Sequence, residues 1–322
     1  MPAVTVIIPT YNSARFLLGA IRSVQRQSIS DWELIIVDDR STDGSGDLIA
    51  HEVRDSRIRV IRQSNQGDAA ARNTGIRASK SPCVAFLDAD DLWKPDKLKR
   101  QLLVMSDRPD VAVVYCGIEV ETLSSEGQAT SRRVVEPPEI LENSLYEELL
   151  IHNVITGSHS SVMIRRDVID QEGLFDERFR ISDIDLWIRL SLRHSFFGIL
   201  EPLVVIRKHG ENSSGNKLMM SDNHLRLYAK LRSDVPPVHQ GNLCAAAIYR
   251  FGMLTLGLLR RGHFYQAQRT SAVMLRNTVW CPLALGKLWR RYWTASSVLA
   301  SHRCAEPIPG LLFPRIPCTD TP

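Results

Sequence analysis

Long hydrophobic runs are missing from this 322-residue chain. The longest apolar stretches, such as FGMLTLGLL, fall short of the ~18 residues that a membrane span needs. A strand pattern, VTVIIP, begins within three residues of Met1, so no secretory leader is expected and the protein is read as cytoplasmic. Cysteine is sparse and unpatterned. Cys83, Cys116, Cys244, Cys281, Cys304 and Cys318 show no C-x-x-C spacing, which argues against a zinc site or a disulfide framework and for reduced thiols. Acidic residues are absent from 236 to 305, a span that holds nine Arg and Lys, although the net charge of the whole chain is only +4. There is no internal repeat. STDGSGD has Gly44 and Gly46 but no third glycine, since Ile49 stands there, so it reads as the cap of a helix and not as a dinucleotide loop.

Over the first 120 residues, short β-branched runs (VTVIIP, ELIIVDD, RIRVIR, CVAFLD, VAVVYC) alternate with helical spacing. Phe16, Leu17, Ala20, Ile21 and Val24 fall on one helix face, with Asn12 or Ser13 able to cap its start. Such alternation predicts an α/β fold: a mostly parallel, Rossmann-like sheet flanked by helices. Ligands then bind beyond the carboxyl ends of the strands, where PTYN, DDRSTDGS and DADD lie. Residues 122–138, rich in Ser, Glu and Arg, read as a surface excursion, and RSDVPPVHQGN (232–242) as a linker. Three regions follow: a domain over 1–232, a basic helical region over 233–305, and a Pro-rich tail over 306–322 that is expected to lack order.

DADD places Asp88, Asp90 and Asp91 directly after a buried strand. Three carboxylates this close repel unless a cation relieves them, and Mg²⁺ or Mn²⁺ takes one or two carboxylates and completes its shell with phosphate and water. Asp91 is expected to be a helix-start acid ahead of Pro95. A haloacid-dehalogenase-type phosphatase would need Thr or Val where Leu92 stands, and its nucleophilic Asp after the first strand instead of the fourth.

Four blocks, VTVIIPTYNSARFLLGAIRSVQRQSISDWELIIVDDRSTDGS, NQGDAAARNTGI, FLDADDLWKPDKL and GLFDERFRISDIDLWIRL, resemble in order and spacing the family 2 glycosyltransferases with a GT-A fold. The resemblance spans about residues 4–210 and leaves the C-terminal third uncovered. It implies that Pro9, Tyr11, Asn12 and Asp39 hold the nucleotide base, that Arg72 faces ribose or phosphate, and that Asp88 lies on the ribose side. Asp90 would be the Mn²⁺ or Mg²⁺ ligand, and His209 could complete the metal shell. Asp183 would be the catalytic base of an inverting, metal-dependent sugar transfer, with Ser182 where the family usually has Glu. The implied donor is a nucleotide sugar, with UDP favoured. The implied acceptor is a glycan or lipid-linked hydroxyl in bacterial surface polysaccharide or glycolipid assembly, and no nucleic acid is involved. The processive signature Q-x-x-R-W is absent, so one sugar is added per encounter. The loss of Glu at 182 leaves a second function open, a nucleotide-sugar-binding scaffold with impaired chemistry. The basic, aromatic-rich region from 236 to 305 has two readings: helices lying on the anionic inner face of the plasma membrane, or a helical cap with a solvated basic surface.

Overall fold

A run of seven residues buried on both faces, Val4–Thr10, forms strand β1 at the centre of the molecule. The computed structural model describes residues 1–52, 54–138, 145–151, 153–179, 182–210 and 217–280. The expectations for residues 281–305, for the tail over 306–322, and for the side chain of Ser182 lie outside what is described.

The elements follow in order: β1, α1 (Ala14–Gln25), β2 (Trp32–Asp38), α2 (Ser45–Glu52), β3 (Ile58–Arg62), α3 (Asp68–Ala78), β4 (Cys83–Phe86) and β5 (Leu92–Trp93). Then come α4 (Lys97–Asp107), β6 (Val111–Leu123), β7 (Ala129–Val135), α5 (Leu145–Ile151), α6 (Ser158–Ser161), β8 (Met163–Arg165), α7 (Arg166–Glu172), α8 (Ser182–Ser191) and β9 (Ser195–Lys208). Three helices close the described chain: α9 (Lys217–Asp234), α10 (Gln240–Leu259) and α11 (Phe264–Trp280).

One mixed sheet runs β3-β2-β1-β4-β8-β6-β9-β5, with β7 added on β6. Strands β3, β2, β1 and β4 are mutually parallel. β8 is antiparallel to both β4 and β6, so β6 points the same way as β4, and β9 is parallel to β6. The carboxyl ends of β1, β2, β3, β4 and β9 therefore share one edge, which brings residues near 10, 38, 62, 87 and 209 together. Helices cover both faces with two apolar cores. Packing is close where α3 crosses β1: a Cβ on Gly75 would stand 2.6 Å from Ile7 Cγ2.

Four expectations change. Residues 122–138 are not a simple excursion, because β7 pairs antiparallel with the end of β6 through a turn whose Gly127 has φ 85°. Arg132 pairs across that hairpin with Glu119 and Glu121, and such ion pairs leave no apolar alternation to read. The start of α1 is capped by neither Asn12 nor Ser13: Asp43 Oδ2 accepts the Ala14 N–H at 2.8 Å, while its Oδ1 accepts Ser45 N–H and Oγ–H at the start of α2. The segment 232–242 is mostly helical, and its Val235, with Leu231 and Leu243 on either side of the segment, belongs to the same apolar core as the sheet. Finally, the helix over Pro237–Leu259 is long and apolar enough to cross a membrane by length and composition. Its Ala, Gly and Thr residues break up the obvious run. It packs on α5 and α9, however, and its half-buried Arg250 donates to the carbonyls of Leu149 and Ile151, so it is tied to the sheet domain.

The first residue of α4, Lys97, is fully buried. Its ammonium lies 3.8 Å from the Trp93 ring centroid with no hydrogen-bond partner. Burial pushes its pKa down to about 7 from an ordinary value of 10.5. The fold thus accommodates the neutral amine, so this contribution to stability is full above 10.5 and is lost as the pH falls toward 7. Lys97→Met is expected to raise the melting temperature at pH 7, by about 1–3 kcal/mol of stability once the lost ring contact is offset, and to flatten the slope between pH 7 and 10.5. Melting curves across that range check it; an unchanged slope would rule it out.

Candidate active site

The loop after β1 carries Tyr11, half exposed, and Asn12, held in the left-handed region at φ 50°. Asn12 tolerates this conformation because its Oδ1 accepts the Thr42 N–H at 2.8 Å and its own N–H donates to Ser41 Oγ at 3.0 Å. Pro9, next to last in β1, is buried beneath them. After β2, Asp38 accepts the Ser41 N–H. Asp39 is also buried: its Oδ1 accepts from Gln63 Nε2 and the Gln66 N–H, and its Oδ2 from the Gly67 N–H, all within 2.9 Å. Both acids thus orient loops, and Asp39 fixes the connection between β3 and α3.

Arg72 lies inside α3 and is 1% exposed. Its guanidinium forms ion pairs with Asp68 and Asp88. Burial opposes the charge, but the two carboxylates outweigh it and hold the guanidinium pKa above its ordinary value. Next to it, Asn73 exchanges hydrogen bonds with the backbone of Phe175, which ties α3 to the segment before α8.

The three acids of DADD separate into three environments. Asp88 is recessed yet 34% exposed, and its pKa is pushed up to about 6 by burial, with Arg72 opposing and Asp68 and Asp90 reinforcing the rise. Asp90, 28% exposed, has Oδ2 3.1 Å from His209 Nε2. His209 follows β9 and stacks on Phe16 of α1, with centroids 4.4 Å apart. Asp91 is not a helix-start acid: α4 begins at Lys97 after Asp96, with the short strand β5 between. Asp91 is buried instead, its Oδ2 accepting from Ser160 Oγ at 2.6 Å and its Oδ1 from the Arg207 N–H at 3.1 Å. Burial and the two neighbouring aspartates push its pKa well up.

Among the described residues, no group of three or more His, Cys, Asp or Glu is placed to enclose an ion. The pair Asp90 and His209, with Asp88 beside it, offers one or two oxygen donors and an imidazole. That set fits Mn²⁺ or Mg²⁺ only if substrate phosphate and water supply the rest of the shell.

Asp183 sits in the first turn of α8, 8% exposed. Its Oδ2 accepts from Ser158 Oγ at 2.5 Å and from Asn153 Nδ2 at 3.3 Å. Burial raises its pKa, with the Ser158 hydrogen bond opposing. The charge of Asp183 also reaches Arg250, whose pKa burial lowers to about 10. Trp187, Ile188 and Leu190 are core residues.

The motif that sequence reasoning passed over is α6, the SHSS segment. Ser158 bonds Asp183, while Ser160 Oγ accepts the Asp88 N–H and donates to Asp91. The Ser160 and Ser161 carbonyls accept from Trp93 and Gln101. His159 packs among Phe86, Phe175 and Trp187. The helix is entered through two left-handed residues, Gly157 (φ 68°) and Ser158 (φ 48°). A Cβ on Gly157 would stand 2.6 Å from Ile118 Cγ2. A glycine before a polar tetrapeptide and an apolar strand was the available signal.

The model of the family described as "Glycosyl transferase family 2" matches residues 5–173. TuaG of Bacillus subtilis, a glycosyltransferase assigned to teichuronic acid biosynthesis, is 36% identical over 220 residues, 67% of this chain and 83% of TuaG. Among solved structures, S. aureus TarS in complex with UDP-GlcNAc superposes with a TM-score of 0.52 at 15% identity, covering 86% of this chain and 92% of that one. Mannosyltransferase PcManGT from Pyrobaculum calidifontis, in complex with GDP-Man and Mn²⁺, gives 0.58 at 21% identity, covering 93% and 85%. At these identities the two structures support the GT-A-like fold alone.

Proposed function

Because the chain belongs to glycosyl transferase family 2, we propose that it transfers one sugar, with inversion, from a UDP-linked donor to a hydroxyl of a glycan or lipid-linked acceptor in bacterial surface polysaccharide or glycolipid assembly. The observation that carries this reading is α6. Within four residues it bonds both the strand-end acids, through Ser160, and Asp183, through Ser158. The donor-binding edge and the proposed base are thereby held by one short rigid element, the positioning that a two-substrate transfer needs.

The chain's own residues divide the work as follows. Tyr11 offers an aromatic face to the base, and Asp39, with three donors already bound, retains an acceptor direction for a uracil N–H. Arg72 keeps Asp88 oriented at the ribose side, which makes it a positioning residue behind Asp88. Asp90 and His209 would hold a Mn²⁺ or Mg²⁺ ion, which when bound supplies positive charge to the diphosphate. In the transfer the acceptor oxygen forms a bond to the anomeric carbon, and the bond from that carbon to the diphosphate oxygen breaks with its electron pair. The acceptor's proton passes to the Asp183 carboxylate. Burial, by raising the proton affinity of that carboxylate, suits it to this role.

Screening nucleotide sugars for release of the nucleoside diphosphate, with and without Mn²⁺ and with a bacterial lipid extract as acceptor, tests the assignment. UDP release that depends on the ion and is stimulated by the extract is expected. UDP binding with no release from any donor would sink the transferase reading and favour the scaffold, and release from GDP-sugars alone would correct the nucleotide.

A further inference from the structure

Helices α10 and α11 form a hairpin that packs on α9, with α10 also on α5. The turn between them is closed by Arg260, Arg261, Gly262 and His263 N–H groups donating to carbonyls at the end of α10, with Gly262 at φ 74°. One face of the hairpin is buried: Phe251 and Leu258 of α10 and Ala267 and Thr270 of α11 are almost inaccessible. The other face is apolar and uncovered within the described residues. Met253, Leu256 and Leu259 are each about half exposed, and at the tip Phe264 and Tyr265 are 70% and 67% exposed. Arg260 and Arg261 flank them, exposed as well. An apolar patch with two aromatics at its tip exceeds the scattered exposure usual on a soluble surface.

Charge identifies the partner. The chain from 236 to 305 contains no Asp or Glu, so no acidic side chain of this region competes for Arg260 at the tip. Arg269, further along α11, is paired with Asp222 of α9, whereas no ion pair involving Arg260 occurs among the described residues. Aromatic side chains beside arginines, on one face of an amphipathic element without acids, match the headgroup level of an anionic bilayer: rings settle at the interface and guanidinium groups meet lipid phosphate. We propose that the tip of the α10–α11 hairpin, residues 253–265, is a peripheral docking surface for an anionic membrane.

The position of the hairpin gives this docking a consequence. Arg250 of α10 is anchored to α5 and lies close enough to Asp183 to feel its charge. Ten residues of helix separate Arg250 from Arg260, a rise of about 15 Å. The membrane tip thus lies about 15 Å along one helix from Arg250, the residue of that helix that senses the proposed base, which suits an acceptor carrying a lipid anchor. This last step rests on the transfer reading above; the docking does not.

Flotation of the full-length protein with vesicles tests the surface. The vesicles would be phosphatidylcholine alone, or phosphatidylcholine with roughly one-third phosphatidylglycerol, at moderate salt. Partitioning onto the anionic vesicles and little onto the neutral ones is expected. R260E/R261E should weaken it about thirtyfold or more, and F264S/Y265S by a similar order, with melting temperature and UDP titration unchanged in both. Absence of binding by the unaltered protein overturns the proposal. Equal binding of both variants to anionic vesicles also overturns it, by placing the contact elsewhere. If F264S/Y265S lowers the melting temperature or dissociates a dimer in sedimentation while vesicles are ignored, the face is covered by residues 281–305 or by a second copy, and the proposal is wrong. Because UDP titration is measured on the same samples, failure of the docking is distinct from failure of the transferase reading.

Discussion

Asp183→Asn is expected to leave donor binding intact and to reduce sugar transfer by about 10²–10⁴-fold, the usual contribution of a positioned general base. The substitution keeps size and the first turn of α8, and Asn can still bond with Ser158 Oγ, so the fold has little reason to change. What it removes is the one group at this position able to take a proton. Hydrolysis of donor by water should fall too, since it uses the same base. Ser158→Ala probes the same link from the other side. It removes the 2.5 Å hydrogen bond that holds the carboxylate, and a loss of kcat of about tenfold with donor affinity unchanged is expected. UDP release kinetics with and without acceptor, beside a UDP titration, read all of this. Turnover by Asp183→Asn within a few-fold of the unaltered enzyme would remove Asp183 from the chemistry.

Asp90→Asn is expected to abolish the Mn²⁺-dependent part of UDP affinity and to lower turnover by about 10²-fold or more at any Mn²⁺ concentration. Asp90 is the acid of the cluster that faces His209 across 119 residues of chain, and its two neighbours are engaged differently: Asp88 with Arg72, Asp91 with Ser160 and the Arg207 backbone. The amide retains the volume and one acceptor oxygen but not the charge that a hard cation needs. Calorimetric titration of UDP at rising Mn²⁺ separates the outcomes: a binding curve for the variant that still steepens with Mn²⁺ would place the ion elsewhere. Asp91→Asn, by contrast, acts on the brace between α6 and β9 and should show first in the melting temperature.

Much of the parallel half of the sheet was legible because its strands are short β-branched runs between helical segments, doubly buried in β1, β2 and β4, as in VTVIIP and ELIIVDD. The hairpin β6–β7 was not, because β7 is exposed along nearly its whole length and its cross-strand ion pairs give it no apolar period. The short strand β5 is two residues long and has no period to read. Helix α10 escaped notice as a long apolar element because small residues dilute it.

At the active site, residue types and their order along the chain were determined by the sequence alone: a polar loop after β1, paired acids after β2, DADD after β4, and an acid at the head of α8. Their assembly at one edge follows from strand direction, a backbone property that apolar periodicity implies. The division of labour among the acids was decided only in three dimensions. Asp88, Asp90 and Asp91 are chemically identical and nearly adjacent, and what distinguishes them is which distant donor reaches each: Arg72, His209 or Ser160. The same holds for Asp183, whose raised pKa arises from burial and whose orientation comes from Ser158 in a left-handed turn. Hydrogen bonds and desolvation depend on neighbours 16 to 119 residues away in the chain, and no local pattern encodes them.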